Sequence, residues 1–258
     1  MLAMGSIRAF RRCYWGMAVL LLAVWGGGPA VAWTPDPDLL IRYADELATA
    51  LIPGPAGDRA VAKWRMPVVV KVRGRTSDGR DGAMADIVGE FAKQLHHPIA
   101  MARMGTEDAP RANLEVFLTD DVVATARGAA RATLSRLQEA SGGKPPVEDV
   151  LTYIGAHRPT CFFHAGIHEG EIVGAAIIAD TKVKPLGLRI CLAAALTRNL
   201  GLFGRPLTVP SILTQPTQQV LPNAYEVEVL NMIYDRKIPY GMEREAFVGF
   251  VKASYPTY

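Results

Sequence analysis

With 258 residues, half of them hydrophobic and 21% charged, the chain has a globular rather than a disordered balance and room for one sizeable core. Its formal charge of +3 comes entirely from the first 32 residues, where Arg8, Arg11 and Arg12 stand without an acidic neighbour. The remainder carries 25 basic and 25 acidic residues, a balance that gives no electrostatic footprint for nucleic acid or an anionic membrane.

Residues 1–32 read as a secretory signal peptide. The three arginines form its basic region, residues 17–25 its apolar centre, and Ala30-Val31-Ala32 a small-x-small cleavage site before Trp33. The apolar run is shorter than the roughly 20 residues that span a bilayer, so cleavage after Ala32 is expected, with no stable membrane span left behind. The mature protein is then periplasmic or secreted. Of the 3 cysteines, Cys13 leaves with the signal, and Cys161 and Cys191 remain as an even pair in an oxidising compartment. A disulfide between them closes a loop of about 30 residues, worth roughly 3–4 kcal/mol. Ligation of a metal by the two thiolates lacks any CxxC spacing.

Asp36-Pro37 predicts a helix start, with Leu39, Leu40, Tyr43, Leu47, Ala50 and Leu51 recurring on one face until Pro53-Gly54-Pro55. Residues 33–60 therefore read as an N-terminal helical arm and linker. From residue 61 the pattern changes: a strand over 67–73, a turn at Asp78-Gly79, a helix over 84–95, and short strands over 99–102 and 112–118. This is an α/β opening with helices on one face of a twisted sheet. Thr119-Asp120-Asp121 caps one long helix carried by Val122, Ala126, Ala130, Leu134 and Leu137 and stopped at Ser141-Gly142-Gly143. Its Arg127, Arg131 and Arg136 read as a solvated face. A short helix over 147–156 follows, then a strand opening at Cys161 and turned by residues 166–170. Residues 171–179 form a nearly continuous apolar strand, buried on both faces, whose Gly174, Ala175 and Ala176 let another backbone approach. Helices over 187–202, 222–234 and 243–254 close the chain.

The helix at 187–202, GLRICLAAALTRNLGL, is the centre of the reading. A zinc peptidase helix needs two imidazoles one turn apart and a glutamate beside the first; the long form H-E-x-x-H-x-x-G-x-x-H adds a glycine turn and a third ligand. With Gly201 at that glycine, the chemical positions fall on Ala194, Ala195, Arg198 and Gly204, none of which ligates zinc or acts as a base. Leu196, Leu200, Gly201 and Leu202 keep the frame. Together with Arg189-x-Cys191, Pro210-Ser211-Ile212-Leu213, Leu230-x-x-Ile233-Tyr234-Asp235 and Gly241-Met242, this order resembles a bacterial secreted family catalogued as domain of unknown function twenty-nine twenty-seven. That family is itself similar to the zincin-like metallopeptidase fold. The resemblance implies an α+β, zincin-like domain over residues 61–258, a twisted mixed sheet packed against helices. Members typically carry a glutamate pair where this chain has Ala194-Ala195, a glutamine at Arg198, an acidic residue where Gly204-Arg205 stand, and an aspartate near Tyr225. In that geometry Arg198 points into the former metal site, either as structural filler paired with Glu226 or Glu228, or as a guanidinium fork for a ligand carboxylate.

Other chemistry is sparse. His164 and His168, with Glu169 and Glu171, form one His/carboxylate cluster, but Gly166 argues for a strand and turn that spoil helical spacing. His96-His97 ends a helix, where a partly charged imidazole suits the dipole. Ser211 lacks the elbow glycines of a G-x-S-x-G nucleophile, and Gly142-Gly143 ends a helix rather than cradling phosphate. The expectation is a non-catalytic pseudo-peptidase that binds a peptide, protein or envelope component, without metal or other cofactor. The alternative is a hydrolase with a non-standard site around His164/His168.

Overall fold

The computed structural model describes residues 34–48, 50–51, 59–74, 82–102, 112–143, 145–214 and 219–255. The segment expected to be a signal peptide with its cleavage site (residues 1–32), the expected linker at residues 53–58 and the turn expected at Asp78-Gly79 lie outside them. Asp36 caps helix α1 (Pro37–Leu47) by accepting from the Asp38 and Leu39 amides, with Pro37 in the first turn as the sequence predicts. The helix stops at Leu47, before the expected Leu51, because Ala50–Leu51 (β1) pairs antiparallel with Arg59–Ala60 (β2).

The main sheet is built from β3 (Lys63–Trp64), β4 (Val68–Arg73), β5 (Ile99–Met101), β6 (Leu114–Thr119), β7 (Cys161–His168) and β8 (Glu171–Asp180). β5, β4, β6 and β8 run parallel in that order, β3 lies parallel beside the start of β8, and β7 runs antiparallel along the other side of β8. A mostly parallel sheet needs cover on both faces, and it has it. The fold is α+β, but the helices are not confined to one face as the opening strands suggest. On one face α2 (Gly82–Gln94) and α6 (Pro185–Asn199) cover Val70, Leu114, Val116 and Ile177, and the same core takes in α1, α7 (Ala224–Ile233) and α8 (Arg244–Ser254). On the other face α3 (Val122–Arg127), α4 (Arg131–Ala140) and α5 (Val147–His157) cover Phe117, Ala176 and Ile178. β6 therefore buries both sides of its pleat.

The helix expected over 122–137 is two helices, α3 and α4, broken at Gly128, whose amide reaches back to Ala124 and Thr125. Nor is its arginine face simply solvated: Arg136 and Arg73 both pair with Glu115, a buried carboxylate on β6, and Arg131 pairs with Glu148. Gly166 does not begin the turn. It stays in β7 opposite Gly174, and α4 lies so close that a Cβ at Gly166 would stand 2.8 Å from the Leu137 carbonyl oxygen. The turn is Glu169-Gly170, both at positive φ, the two-residue geometry that suits a twisted hairpin. Helix α1, read as part of an arm, buries Leu40, Tyr43, Ala44 and Leu47 in the main core.

Candidate functional site

α6 follows the last sheet strand and lies along β7 and β8. It starts at Pro185, buries Leu188, Leu192, Ala193 and Leu196, and leaves through Leu200 into Gly201 at φ +127°. A Cβ at Gly201 would come within 2.8 Å of the Ala62 carbonyl oxygen, so only glycine lets the chain turn here. Trp64 Nε1 donates to the Asn199 carbonyl and Tyr234 Oη to the Leu200 carbonyl, which fixes this helix end between β3 and α7.

Ile190, Cys191, Ala194, Ala195 and Arg198 share the opposite stripe of α6, as residues three and four apart must, and this stripe lines a cavity of about 510 Å³. Cys161 and Phe163 of β7 form a second wall. The third comes from the chain after α6, through Arg205, Pro206, Ile212, Leu213 and Thr214. Every position that the metallopeptidase comparison marks on α6, Ala194, Ala195 and Arg198, thus opens onto one space. Cys161 and Cys191 are joined as a disulfide that links the β7 and α6 walls, Cα to Cα 5.8 Å, as expected from the cysteine count.

The residues present do not fit a zinc ion. Two methyl groups and a guanidinium occupy the helix positions. At Gly204, where the metallopeptidase comparison would put a third ligand, a Cβ would stand 1.9 Å from the Glu46 carbonyl oxygen and 2.8 Å from Leu47 Cα. Any side chain there collides with the end of α1. Among the described residues no three His, Cys, Asp or Glu side chains gather within reach of one metal ion.

Arg198 does not pair with Glu226 or Glu228. Its Nη1 donates to the Phe203 and Gly204 carbonyls at 3.0 and 3.1 Å, and its Cζ stands 5.3 Å from the centre of the Phe163 ring. Burial presses its pKa down from the ordinary arginine value, though a guanidinium stays charged. Among the described residues no carboxylate lies within ion-pair distance of it, nor does any line the cavity.

Glu226 has another task. Fully buried, it accepts from the Ser211 hydroxyl, the Ile212 amide at 3.1 Å and the Asn223 amide at 2.8 Å, completing a capping box for α7. Burial raises its pKa above the ordinary carboxyl value, against the pull of those donors. Ser211, considered as a nucleophile, instead ties the Ile212-Leu213 wall to α7, and its Oγ also accepts from the Leu213 amide. Glu228 accepts from Tyr255. Glu46 of α1 holds the third wall from outside, accepting from the Leu207 and Thr208 amides at 2.7 and 3.0 Å and from the Thr208 hydroxyl.

The histidine cluster does not converge. His164 and His168 lie on β7 and share the face away from the cavity, four residues apart on an extended strand, a separation of roughly 13 Å. His164 is desolvated, which lowers its pKa, and its Nε2 has no partner among the described residues, whereas His168 is exposed. Glu169 sits in the hairpin turn and Glu171 pairs with Arg65. His97 is not a charged helix cap: it stacks on Tyr234 at 4.1 Å, contacts the Met66 carbonyl at 3.0 Å, and burial lowers its pKa. The sequence reading missed Phe163, Arg205 and the 212–214 wall. Arg205 and Ile212-Leu213 stand in the sequence only as positions of the family pattern, which is the signal that could have found them; Phe163 has none beyond its place two residues after Cys161.

No curated protein and no solved structure matches the chain. Residues 41–253 match the family described as "Protein of unknown function (DUF2927)", and the chain belongs to that family.

Proposed function

We propose that this protein is an exported, zincin-like pseudo-peptidase that acts by binding a peptide, protein or envelope component rather than by cutting it. The observation that carries the reading is the cavity itself. It sits on the helix face where a zincin would present its ligands and base, and that face offers Ala194, Ala195 and Arg198, with Gly204 walled off by α1. The Cys161–Cys191 bridge supports an oxidising compartment, in keeping with a signal peptide at residues 1–32. Among the described residues no helix is long and apolar enough to cross a membrane. β7 supports an extended ligand: it pairs with β8 on one side, and among the described residues no strand pairs with the other. In zincins the substrate lies along a sheet edge, and backbone pairing there needs no metal.

The test uses the oxidised protein from Trp33 onward, incubated with a quenched-fluorescence peptide library with and without added zinc, and passed over arrays of tethered peptides. Retention without hydrolysis, reduced by Ala194→Trp in the cavity wall, is the expected result. Zinc-dependent cleavage abolished by His164→Ala or His168→Ala overturns the binding reading in favour of a hydrolase at that cluster.

A further inference from the structure

We infer that the cavity on α6 is a receptor for a free peptide C-terminus: Arg198 and Arg205 take the α-carboxylate, and the apolar walls take the last side chain. The inference rests on the binding reading above and specifies its ligand.

Charge comes first. Two guanidiniums line the cavity, and among the described residues none of the others that line it can be ionised to balance them. A guanidinium removed from water without a counter-charge is costly, and two main-chain carbonyls supply only partial negative charge. A ligand carboxylate completes what the fold leaves incomplete. Arg198 uses Nη1 for the Phe203 and Gly204 carbonyls, so those bonds and the Phe163 ring hold the head group in place before any ligand arrives. Among the described residues nothing accepts from its Nε or Nη2, which remain for an anion, and a preset fork loses little freedom on binding. Arg205 is exposed, placed to meet the second oxygen or the anion on its way in.

Shape and polarity select among anions. Phosphate or sulfate would meet a wall made mostly of Phe163, Ile190, Ala194, Ile212 and Leu213, in which, among the described residues, only Thr214 adds a side-chain donor beyond the two arginines, too few for a tetrahedral anion with four oxygens. A carboxylate attached to an apolar body matches both halves of the lining. The volume lies in the range of about 300–1,000 Å³ usual for small-molecule sites, enough for a terminal residue with part of its neighbour. A fatty acid shares this chemistry. The peptide is favoured because Cys161 and Phe163, which wall the cavity, belong to β7, whose outer edge no strand pairs with among the described residues. An extended chain ending in the cavity can pair its amides and carbonyls with β7, which an alkyl chain cannot.

The experiment compares two arrays of N-terminally tethered peptides, degenerate in sequence and ending in every residue type, one with free C-termini and one with C-terminal carboxamides. The best free-acid peptide then goes into calorimetric titration against the oxidised wild type, Arg198→Met, Arg205→Met and, as competitor, decanoate. Retention confined to free acids with apolar last residues is expected, with the carboxamide at least about tenfold weaker. Arg205→Met, at an exposed site, should weaken binding several-fold without moving the melting temperature, and Arg198→Met should weaken it more. Equal retention of acids and amides overturns C-terminal recognition and leaves the binding function standing. Retention on neither array overturns both. Decanoate binding tighter than the best peptide overturns the peptide assignment.

Discussion

Removing the Cys161–Cys191 bridge tests how the cavity is held. The two cysteines are separated by 30 residues, a segment that includes the whole of β8. On the chain-entropy account, closing a loop of that length removes about 12 cal/mol/K from the unfolded chain, or about 3.6 kcal/mol at 25 °C. The Cα separation of 5.8 Å lies within the ordinary span of a disulfide, so no backbone distortion subtracts from that figure. For a domain of this size, each kcal/mol corresponds to about 2–4 °C, so Cys161→Ser/Cys191→Ser should lower the melting temperature by about 7–14 °C. Circular dichroism during thermal and urea unfolding, on the oxidised wild type, the reduced wild type and the double variant, measures it. Because the stabilisation acts on the unfolded chain, the reduced protein and the double variant should unfold together, with a larger urea dependence than the oxidised form. A loss below about 1 kcal/mol refutes the reasoning, since it means that β7 and α6 restrict the unfolded chain without the bridge.

Two further substitutions probe the walls. Gly204→Ala places a methyl group against the Glu46 carbonyl and should cost about 2 kcal/mol or more by chemical denaturation, since backbone rather than a flexible side chain must move; unchanged stability would show that α1 does not close this position. Glu226 has a folded-state pKa above its ordinary value, so the folded protein holds a proton that the unfolded chain has released; stability should fall as pH rises through the window just above the ordinary carboxyl range, with a slope of up to about 1.4 kcal/mol per pH unit. Urea unfolding of wild type and Glu226→Gln across pH 4–7 checks this, and parallel pH profiles would refute it.

Much of the fold can be read from local signals. Asp36-Pro37 sets the start of α1, Asp121 the start of α3, and the valines and leucines of β4 and β6 alternate as a pleat requires. The misreadings share one physical cause: information carried by distant chain. Apolar periodicity runs unbroken across Gly128, and only the packing of α3 and α4 against the sheet and α5 decides that the helix bends there. Gly166 has the local character of a turn, yet α4 presses so close that the residue is needed within the strand. The helical face of Ala194, Ala195 and Arg198 could be placed from spacing, and the cysteine pair from its even count. The partner of Arg198 could not, because Glu226 is taken by Ser211, Ile212 and Asn223, a competition invisible in a linear pattern. Arg205 and the 212–214 wall reach the cavity through an irregular connection, where no periodicity reports direction.

The grip of α1 on the segment after α6 bears on how the protein is made. Glu46 meets Leu207 across 161 residues of chain, Tyr43 meets Asn223 across 180, and Asp45 meets Arg244 across 199. Such closures are slow and cannot begin until the far partner exists. Helix α1, made early in synthesis, therefore waits for the segments beyond α6 before it can dock. The cavity beside α6 is therefore a late product of folding: its third wall is held by a helix that can dock only after that wall and the helices beyond it have been made.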